Sequence, residues 1–314
     1  MTHEDAMRDK LVTLIGGGGF IGRYVAQELL AAGARVRLVE RDPRRAWFVK
    51  PLGGLGQTQF TAADVTRPET LERAIAGSDA VVYLVGTWGP DFEALHVAGV
   101  RTAATAAAAT GAQSFVLVSA LGADPASDSR YFRSKAAGEA AARAAFPGAT
   151  ILRPSVVFGP EDRFLNRFAE MLARRLVPVL KPGAKFQPVF VVDVAKAVAA
   201  VVADPAAHGG KTYEIAGPEV LTMAALLRWI ATATGRNPSF VELPDALGGL
   251  VATLPGTPIT RDQWKMLAVD NVATGAAPGL EQLGIAPTPL EAVAPSWLVR
   301  YRRAGRFGAR AALA

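Results

Sequence analysis

Residues 11–40 carry the pattern that most constrains how this chain can fold. Their sequence, LVTLIGGGGFIGRYVAQELLAAGARVRLVE, predicts an apolar strand, a glycine-rich turn, an amphipathic helix and a second strand. Gly16, Gly19 and Gly22 have the spacing GxxGxxG, and the acidic residue Glu40 ends the second strand. A glycine-rich turn that follows a strand and opens a helix is typical of dinucleotide-binding folds. The sequence therefore predicts a dinucleotide site at this turn.

Each of the three glycines has a physical role in such a site. Gly16 can take the tight turn after the strand, and Gly19 lets backbone N–H groups approach a pyrophosphate at the positive end of the helix. Gly22 allows the helix to pack closely on the sheet. Phe20 and Ile21 lie between these glycines and belong to the same predicted cofactor site.

The residues at the end of the second strand are compatible with either of two cofactors. Glu40 is placed to accept hydrogen bonds from an adenosine ribose, which favours NAD(H). Arg41, Arg44 and Arg45 lie close to it in the sequence and suit a 2′-phosphate, which favours NADP(H). Because a carboxylate that faces a phosphate is costly, the residues favour NAD(H) without excluding NADP(H).

Three further apolar segments are predicted to be strands, and they lie at residues 57–62, 80–85 and 114–119. Helix-forming segments alternate with them, which predicts an α/β fold with a doubly wound parallel sheet of the Rossmann type. We expect the NAD(P)-binding domain to span residues 1–155. We expect residues 156–314 to form a smaller, interwoven C-terminal lobe for a substrate or partner, with about 186–204 returning to the first domain.

Residues that follow these strands extend the predicted cofactor site. Asp64 and Val65 come after the first of the three segments, where an acid commonly lies near the adenine edge. The alternative for Asp64 is a turn or N-cap residue before the next helix. Gly86 follows Val85 at the end of the second segment and would let the cofactor pass closely.

Tyr131 and Lys135 form a candidate catalytic pair. They lie four residues apart at the start of a predicted helix, so their side chains share a face. We expect the Lys135 ammonium to lower the pKa of the Tyr131 phenol. The phenol can then exchange a proton at a carbonyl or carbinol carbon while a nicotinamide moves hydride.

Composition excludes several kinds of site. The chain has 314 residues, no cysteine and only three histidines, so disulfides, thiolate nucleophiles and Cys-ligated metals are excluded, and we predict no metal site. The first ten residues lack the apolar region of a signal peptide, and no uncharged run approaches the length of a membrane span. We therefore expect a cytoplasmic protein.

The formal net charge is +6, and residues 296–314 contain five arginines and no acid. The simpler interpretation of this basic tail is a solvated surface. Because Trp297, Tyr301 and Phe307 interleave with the arginines, the alternative is contact with an anionic membrane, at its inner face, or with a respiratory complex. No recognisable nucleic-acid-binding module is present, and we predict no nucleic acid as a partner.

Several strings of residues resemble the short-chain dehydrogenase/reductase superfamily, in its extended or atypical branch. The strings are GGGGFIG (16–22), LVS (117–119), YFRSK (131–135), LRPSVVFGPEDRFLNRF (152–168) and FQPVFVVDVAKAV (186–198). Within it, the last three strings, together with YEIAGPEVLT (213–222) and LEQLGI (280–285), most resemble the family of the nucleotide-binding accessory subunit of respiratory complex I and its bacterial relatives.

The resemblance implies NAD(P) bound along the glycine turn, with Tyr131 and Lys135 as the catalytic pair. It also implies that the loop containing Pro154 and Val156 lies beside the nicotinamide. One departure matters, because the serine that polarises the substrate carbonyl usually stands one or two places beyond the strand end, where this chain has alanine and leucine. Ser119 is the nearby hydroxyl, predicted either as a catalytic residue or as a contact of the nicotinamide.

Three functions follow from these features. The first is an NAD(P)-dependent oxidoreductase acting on a small, lipophilic or quinone-related substrate. The second is a non-catalytic nucleotide-binding protein of structure or assembly, which the accessory-subunit resemblance and the missing serine favour. The third is a nucleotide-sugar epimerase or dehydratase, which shares the fold.

Overall fold

The computed structural model describes residues 7–252, 259–303 and 305. Within these ranges the strands are, in chain order, β1 (Leu11–Ile15), β2 (Arg35–Glu40), β3 (Thr58–Ala62), β4 (Ala80–Tyr83), β5 (Ser114–Val118), β6 (Thr150–Pro154), β7 (Val157–Phe158), β8 (Leu176–Val179), β9 (Lys185–Phe186), β10 (Val189–Phe190), β11 (Thr212–Ile215), β12 (Leu221–Thr222) and β13 (Ser239–Glu242). The α-helices are α1 (Phe20–Ala31), α2 (Pro68–Ile75), α3 (Gly99–Ala109), α4 (Arg130–Ala145), α5 (Leu165–Met171), α6 (Val191–Ala203), α7 (Pro205–His208), α8 (Met223–Ala233), α9 (Asp245–Val251), α10 (Arg261–Met266), α11 (Leu290–Val293) and α12 (Pro295–Leu298). Shorter 3₁₀ helices cover Pro43–Leu52, Glu281–Leu283 and Val299–Tyr301, and a π-helix covers Glu93–Ala98.

Seven strands form one parallel sheet in the order β11-β6-β5-β4-β1-β2-β3. The strands β1, β4 and β5 are buried along their whole length, which explains their nearly continuous apolar sequences. The strand order reverses between β1 and β4, and ligands of such sheets bind at the carboxyl ends of the strands beside that point. The predicted doubly wound parallel sheet is confirmed.

The helices bury their apolar sides against this sheet and against each other. Helix α1 packs against α6, while α2, α3 and α4 pack side by side. The core beside α2, α3 and α4 joins strand residues such as Phe115 and Ile151 to helix alanines such as Ala103 and Ala142. Alanines leave room for close helix packing, so an Ala-rich helix such as α3 suits this layer.

The chain divides into two compact units. The first unit contains residues 1–154, 191–215 and 274–286, and the second contains residues 155–190, 216–273 and 287–314. The second unit has its own core, in which Phe158, Leu226 and Trp297 are buried. Its strands pair in twos, β10 with β7, β12 with β9 and β13 with β8.

The start of the basic tail differs from the surface that the sequence predicts. Trp297 is buried, and its ring lies 6.4 Å from that of Phe158. Arg300 donates to the carbonyl of Pro160 at 2.8 Å, which ties the start of the tail to the loop after β7 within the second unit. Trp297 therefore does not fit the alternative of membrane contact, and Phe307 and the last two arginines lie outside the described residues. No helix in the ranges that the structure describes is long and apolar enough to span a bilayer.

The π-helix Glu93–Ala98 precedes α3 and brings an unusual backbone contact into the fold. A π-turn holds one extra residue and disturbs the usual helical hydrogen bonds. Within this π-helix the carbonyl of Leu95 accepts a hydrogen bond from the hydroxyl of Tyr83, at 2.6 Å. Across from it, a β-carbon at Gly138 of α4 would overlap the carbonyl oxygen of His96. Gly138 therefore allows α4 to lie directly on the π-helix.

We predict that Gly138→Ala destabilises the protein by about 2 kcal/mol or more, because the β-carbon displaces backbone and not a flexible side chain. Urea denaturation followed by circular dichroism measures the free energy of unfolding. Gly183→Ala is the matched control, since a β-carbon at Gly183 meets nothing within 4 Å, and it should be neutral or slightly stabilising. Equal stability of the two variants would contradict the proposed contact.

Candidate active site

The glycine turn after β1 requires glycine at its first position for two reasons. Gly16 has a φ of +83°, in the left-handed region that other residues rarely adopt. A β-carbon there would also lie 3.0 Å from Cγ2 of Val85. Val85 therefore packs directly on the turn, beside the point where the strand order reverses.

Gly22 brings α1 close to the same turn. A β-carbon at Gly22 would lie 2.5 Å from the carbonyl oxygen of Gly17, which is too close for any side chain. The close packing that the sequence predicts for Gly22 thus occurs, but against the backbone of the turn. It holds the first turn of α1 at the carboxyl end of β1.

The hydrogen-bond donors that face a ligand differ from those that the glycine pattern suggests. Gly16 and Gly19 use their N–H groups inside the turn and strand, on the carbonyls of Val39 and Gly16. Helix α1 begins at Phe20, and no side chain among the described residues caps it. The N–H groups of Phe20 and Ile21 therefore lie at an uncapped helix N-terminus, which carries partial positive charge. This donor set fits the diphosphate of a dinucleotide, and Phe20 and Ile21 would hold it.

Glu40 at the end of β2 already has a partner in the protein. Its Oε1 accepts a hydrogen bond from the N–H of Gly18 at 2.7 Å. A carboxylate has several lone pairs, so Glu40 can still accept from a ribose hydroxyl while it fixes the turn. Arg41 is exposed, and Arg44 is paired with Asp42 at 2.9 Å.

Asp64 after β3 has the turn role that the sequence left as an alternative. Its Oδ1 accepts from the N–H of Thr66 at 2.9 Å and from the Thr66 hydroxyl at 2.8 Å. These two hydrogen bonds lower the pKa of the Asp64 carboxyl. Val65 packs against the core of the first unit.

Lys135 lies in a buried position one turn into α4. Its Nζ donates to the carbonyl of Val118, the last residue of β5, at 3.0 Å. Burial lowers the pKa of the Lys135 ammonium to about 8, although the carboxylate of Glu139 acts in the opposite direction. Lys135 thus supplies a positive charge at the carboxyl edge of the sheet at neutral pH.

Tyr131 lies within a cluster of aromatic rings. The ring of Trp88 stacks on it with a centroid distance of 4.4 Å and an interplanar angle of 17°. Phe92, His96 and Phe132 approach it edge to face, at 6.0, 5.6 and 5.7 Å. We refer to these five residues as the aromatic cluster.

The aromatic cluster reverses the predicted electrostatics of Tyr131. Burial raises the pKa of the phenol, whereas the sequence predicts that Lys135 lowers it. The prediction is wrong because the ammonium lies 6.0 Å from the ring centroid, and the surroundings disfavour a phenolate. At neutral pH the phenol therefore stays protonated, which suits it to donate a proton.

Ser119 has a different partner from the one predicted. Its hydroxyl donates to Oε1 of Glu139 at 2.6 Å, and Glu139 is also paired with Arg153 at 2.7 Å. A hydroxyl has one hydrogen, so Ser119 cannot polarise a substrate carbonyl while this bond exists. The positions that follow, Ala120 and Leu121, have no hydroxyl.

Comparison with known proteins agrees with this geometry. The model of the NAD dependent epimerase/dehydratase family matches residues 12–216, which include the central sheet and the Tyr131–Lys135 pair. The chain belongs to the NAD dependent epimerase/dehydratase family.

Individual relatives show which kinds of protein the chain is similar to. Mouse mitochondrial NADH dehydrogenase [ubiquinone] 1 alpha subcomplex subunit 9 is 36% identical over 306 residues, covering 93% of this chain and 80% of the relative. A ceramide reductase from Caulobacter vibrioides is 32% identical over 241 residues, covering 75% of this chain and 74% of the relative. An NADPH-dependent quinone oxidoreductase from Escherichia coli, solved with NADPH, has a TM-score of 0.72 at 20% identity, covering 91% and 99% of the two chains. The predicted resemblance to the accessory subunit of complex I is confirmed.

His96 is a site residue that the sequence does not reveal. It is buried, and its Nε2 accepts from the N–H of Thr87 at 3.1 Å, so the hydrogen is on Nδ1, which lies 2.8 Å from Oγ of Ser134. It thereby joins the loop after Gly86 to α4, where Tyr131 lies. A single histidine in an Ala-rich helix gives no sequence signal, because only the fold brings these three elements together.

Pro154 and Val156, the last two residues predicted to contact the nicotinamide, lie in different units. Pro154 ends β6, and its carbonyl accepts from the N–H of Leu121 at 2.9 Å. Val156 lies in the second unit and donates its N–H to Oδ1 of Asn271 at 2.8 Å. Their contact with a nicotinamide stays a prediction.

We predict that His96 makes the folded state sensitive to acid. Burial, and then the charge of Lys135, lower the pKa of His96 to about 3, whereas an unfolded histidine titrates near 6.5. Between these two pKa values the unfolded chain binds a proton at His96 that the folded protein does not bind. The free energy of unfolding therefore falls as the pH decreases from about 6.5 towards 3. His96→Asn should be less stable at pH 7, and the difference from the wild type should shrink in acid by up to about 1.4 kcal/mol per pH unit.

Urea unfolding at several pH values measures this difference. The same pair of proteins at pH 8, above the titration of histidine, provides the baseline. A difference that stays constant from pH 8 into the acid range would show that His96 is not the group responsible.

Proposed function

We propose that the protein binds a nicotinamide dinucleotide and reduces a small, planar, apolar carbonyl or quinone-like substrate. The observation that carries this proposal is the position of Tyr131, whose ring stacks face to face with the exposed Trp88 and whose phenol pKa is raised by burial. Family membership and the uncapped start of α1 support the dinucleotide part. The names of the ceramide reductase and the quinone oxidoreductase support reduction as the reaction class.

The aromatic cluster supports an apolar, planar substrate. Aromatic rings bind other flat rings by offset stacking or edge-to-face contacts. The Trp88 side chain is 59% exposed, so it can leave the face of Tyr131 and make room for a substrate ring. A substrate stacked there would bring its carbonyl oxygen near a phenol that can donate a proton.

The roles of the chain's own residues follow from this arrangement. A bound reduced nicotinamide supplies hydride to the substrate carbon. Tyr131 donates a proton to the substrate oxygen, and the positive charge of Lys135 stabilises negative charge that develops nearby. His96 holds the loop before Trp88 and the start of α4 in place.

NADH suits the site better than NADPH. Glu40 is fixed by Gly18 at the end of β2, so a 2′-phosphate there would approach a carboxylate that cannot easily turn away. Arg44 is already paired with Asp42, which leaves Arg41 and Arg45 as the nearby cations for a phosphate. We propose NAD(H) as the preferred cofactor.

A second candidate is a nucleotide-holding protein of structure or assembly that does not turn over. The hydrogen bond of Ser119 to Glu139 favours it, because the donor that polarises a substrate carbonyl in related enzymes is absent from its usual positions. The name of the mouse relative, a subunit of NADH dehydrogenase, also supports this candidate.

We predict that Gly19→Val lowers the affinity for NADH at least about tenfold while the fold persists. A β-carbon at Gly19 would lie 3.2 Å from the carbonyl oxygen of Gly16, and the side chain would obstruct the start of α1. Circular dichroism of the variant checks that the fold persists. Calorimetric titration with NADH and NADPH measures the affinity, and Gly183→Val is the control. Unchanged affinity in the Gly19 variant would show that the diphosphate does not bind at this turn.

We predict that Tyr131→Phe lowers turnover at least about a hundredfold without weakening NADH binding, because the proton donor is lost and the ring is kept. Oxidation of NADH is measured with short-chain quinones and aromatic aldehydes as acceptors. Tyr213→Phe, which removes a hydroxyl that contacts His208, is the control and should turn over normally.

Two outcomes separate the candidate functions. Full turnover by the Tyr131 variant would dismiss the proposed acid. Tight NADH binding by the wild type, with no oxidation by any acceptor, would favour the nucleotide-holding protein.

A further inference from the structure

The connection between β2 and β3 exposes a concentration of large apolar side chains. Trp47, Phe48, Leu52 and Leu55 lie within nine residues, with exposed fractions of 57%, 41%, 46% and 107%. Single exposed apolar residues are common on protein surfaces, but four large ones within one short segment are unusual and indicate an interaction site. We refer to these four residues as the apolar surface.

Buried residues and hydrogen bonds hold the backbone of the apolar surface in place. Ala46 and Val49 of the same 3₁₀ helix are fully buried, and this helix contacts α1, β2 and β3. The tip is also fixed, because Oε1 of Gln57 accepts from the N–H of Gly54 at 2.6 Å and its Nε2 donates to the carbonyl of Ala34 at 3.2 Å. The exposed side chains therefore project from a preformed element.

The segment that carries the apolar surface is mostly positive in charge. Residues 41–56 contain four cations, all exposed, and a single carboxylate, Asp42, which pairs with Arg44. Arg45 and Lys50 flank Trp47 and Phe48 along the chain. Trp, Phe and Leu side chains with adjacent Arg and Lys are the composition of segments that lie in a membrane interface and attract anionic headgroups.

We propose that residues 44–55 form a docking surface for an anionic lipid bilayer. The apolar surface enters the boundary between headgroups and acyl chains, with Leu55 at the tip, while Arg45 and Lys50 contact lipid phosphates. This proposal does not depend on the proposed function, since none of the four residues of the apolar surface belongs to the aromatic cluster or supplies an N–H group at the start of α1; Phe48 does carry the Arg23 guanidinium over its ring, at 4.4 Å. Its apolar side chains are exposed, whereas Trp297 of the tail is buried.

Cosedimentation of the full chain with vesicles tests the proposal. The vesicles contain phosphatidylcholine with about one third phosphatidylglycerol, or phosphatidylcholine alone, each at low salt and at about 0.5 M KCl. We expect the protein to sediment with the anionic vesicles at low salt and to be released at high salt. Failure to bind anionic vesicles at low salt would overturn the proposal.

Serine variants of the apolar surface identify the contact. The test variant combines Trp47→Ser, Phe48→Ser, Leu52→Ser and Leu55→Ser. It should bind anionic vesicles at least about tenfold more weakly, because the buried apolar area is lost. The control combines Leu176→Ser, Val220→Ser and Val269→Ser, which are similarly exposed residues of the second unit, and it should bind like the wild type. Equal binding by the test variant and the wild type would overturn the proposal.

Charge variants and depth measurements separate lipid from other occupants. Arg45→Gln with Lys50→Gln should weaken binding and reduce its salt dependence, whereas Arg101→Gln with Lys211→Gln should not. Acyl-brominated lipids should quench wild-type tryptophan fluorescence, and Trp47→Phe should remove most of that quenching. Absence of quenching would exclude insertion and overturn the proposal.

Two further results would assign the apolar surface to something else. A lipid-free dimer in sedimentation velocity that the four-serine variant abolishes would identify a second copy as the occupant. Loss of vesicle binding on truncation after Arg303, with the four-serine variant unaffected, would assign the membrane contact to the tail. NADH affinity of the four-serine variant should be unchanged, so failure of this proposal is distinguishable from failure of the proposed function.

Discussion

At Gly22 the first helix lies so close to the glycine turn that a β-carbon would be 2.5 Å from a carbonyl oxygen of Gly17. The start of α1, with its uncapped N–H groups, is held at the carboxyl end of β1 by this contact of backbone with backbone. A second contact of the same kind, between Gly138 and the π-helix at His96, positions α4 and therefore Tyr131. The two halves of the candidate site thus depend on glycines that let helices approach where a side chain would prevent it.

The charged groups of α4 divide between chemistry and structure. Lys135 and Glu139 lie one helical turn apart, yet Lys135 donates to the end of β5 whereas Glu139 holds Ser119 and Arg153. Burial destabilises the ammonium form of Lys135 and the phenolate form of Tyr131. Both effects have one cause, the apolar surroundings at this edge of the sheet, and together they suit proton donation better than proton abstraction.

The apolar surface and the aromatic cluster use similar side chains in different ways. In the aromatic cluster the rings pack on one another, and only Trp88 is largely exposed. In the apolar surface the backbone is fixed by Ala46, Val49 and the Gln57 hydrogen bonds, while the large side chains remain exposed, Phe48 with the Arg23 guanidinium over its ring. A lipophilic substrate and a membrane surface would be compatible partners for one protein, since a bilayer concentrates apolar molecules.

Local patterns in the sequence were sufficient for the fold class, the glycine turn and the assignment of Glu40 to the end of a strand. These depend on short-range features, namely apolar runs, glycine spacing and helix periodicity, which act over a few residues. The direction of the pKa shift of Tyr131, the partner of Ser119 and the importance of His96 depend on residues 9 to 43 positions away in the chain. The buried state of Trp297 was hidden for the same reason, because an arginine-rich sequence does not show what its aromatic residues pack against. The sequence by itself determined where a dinucleotide fold begins, whereas only the tertiary structure decided which side chains share a low-dielectric environment, since burial is a property of the packed chain.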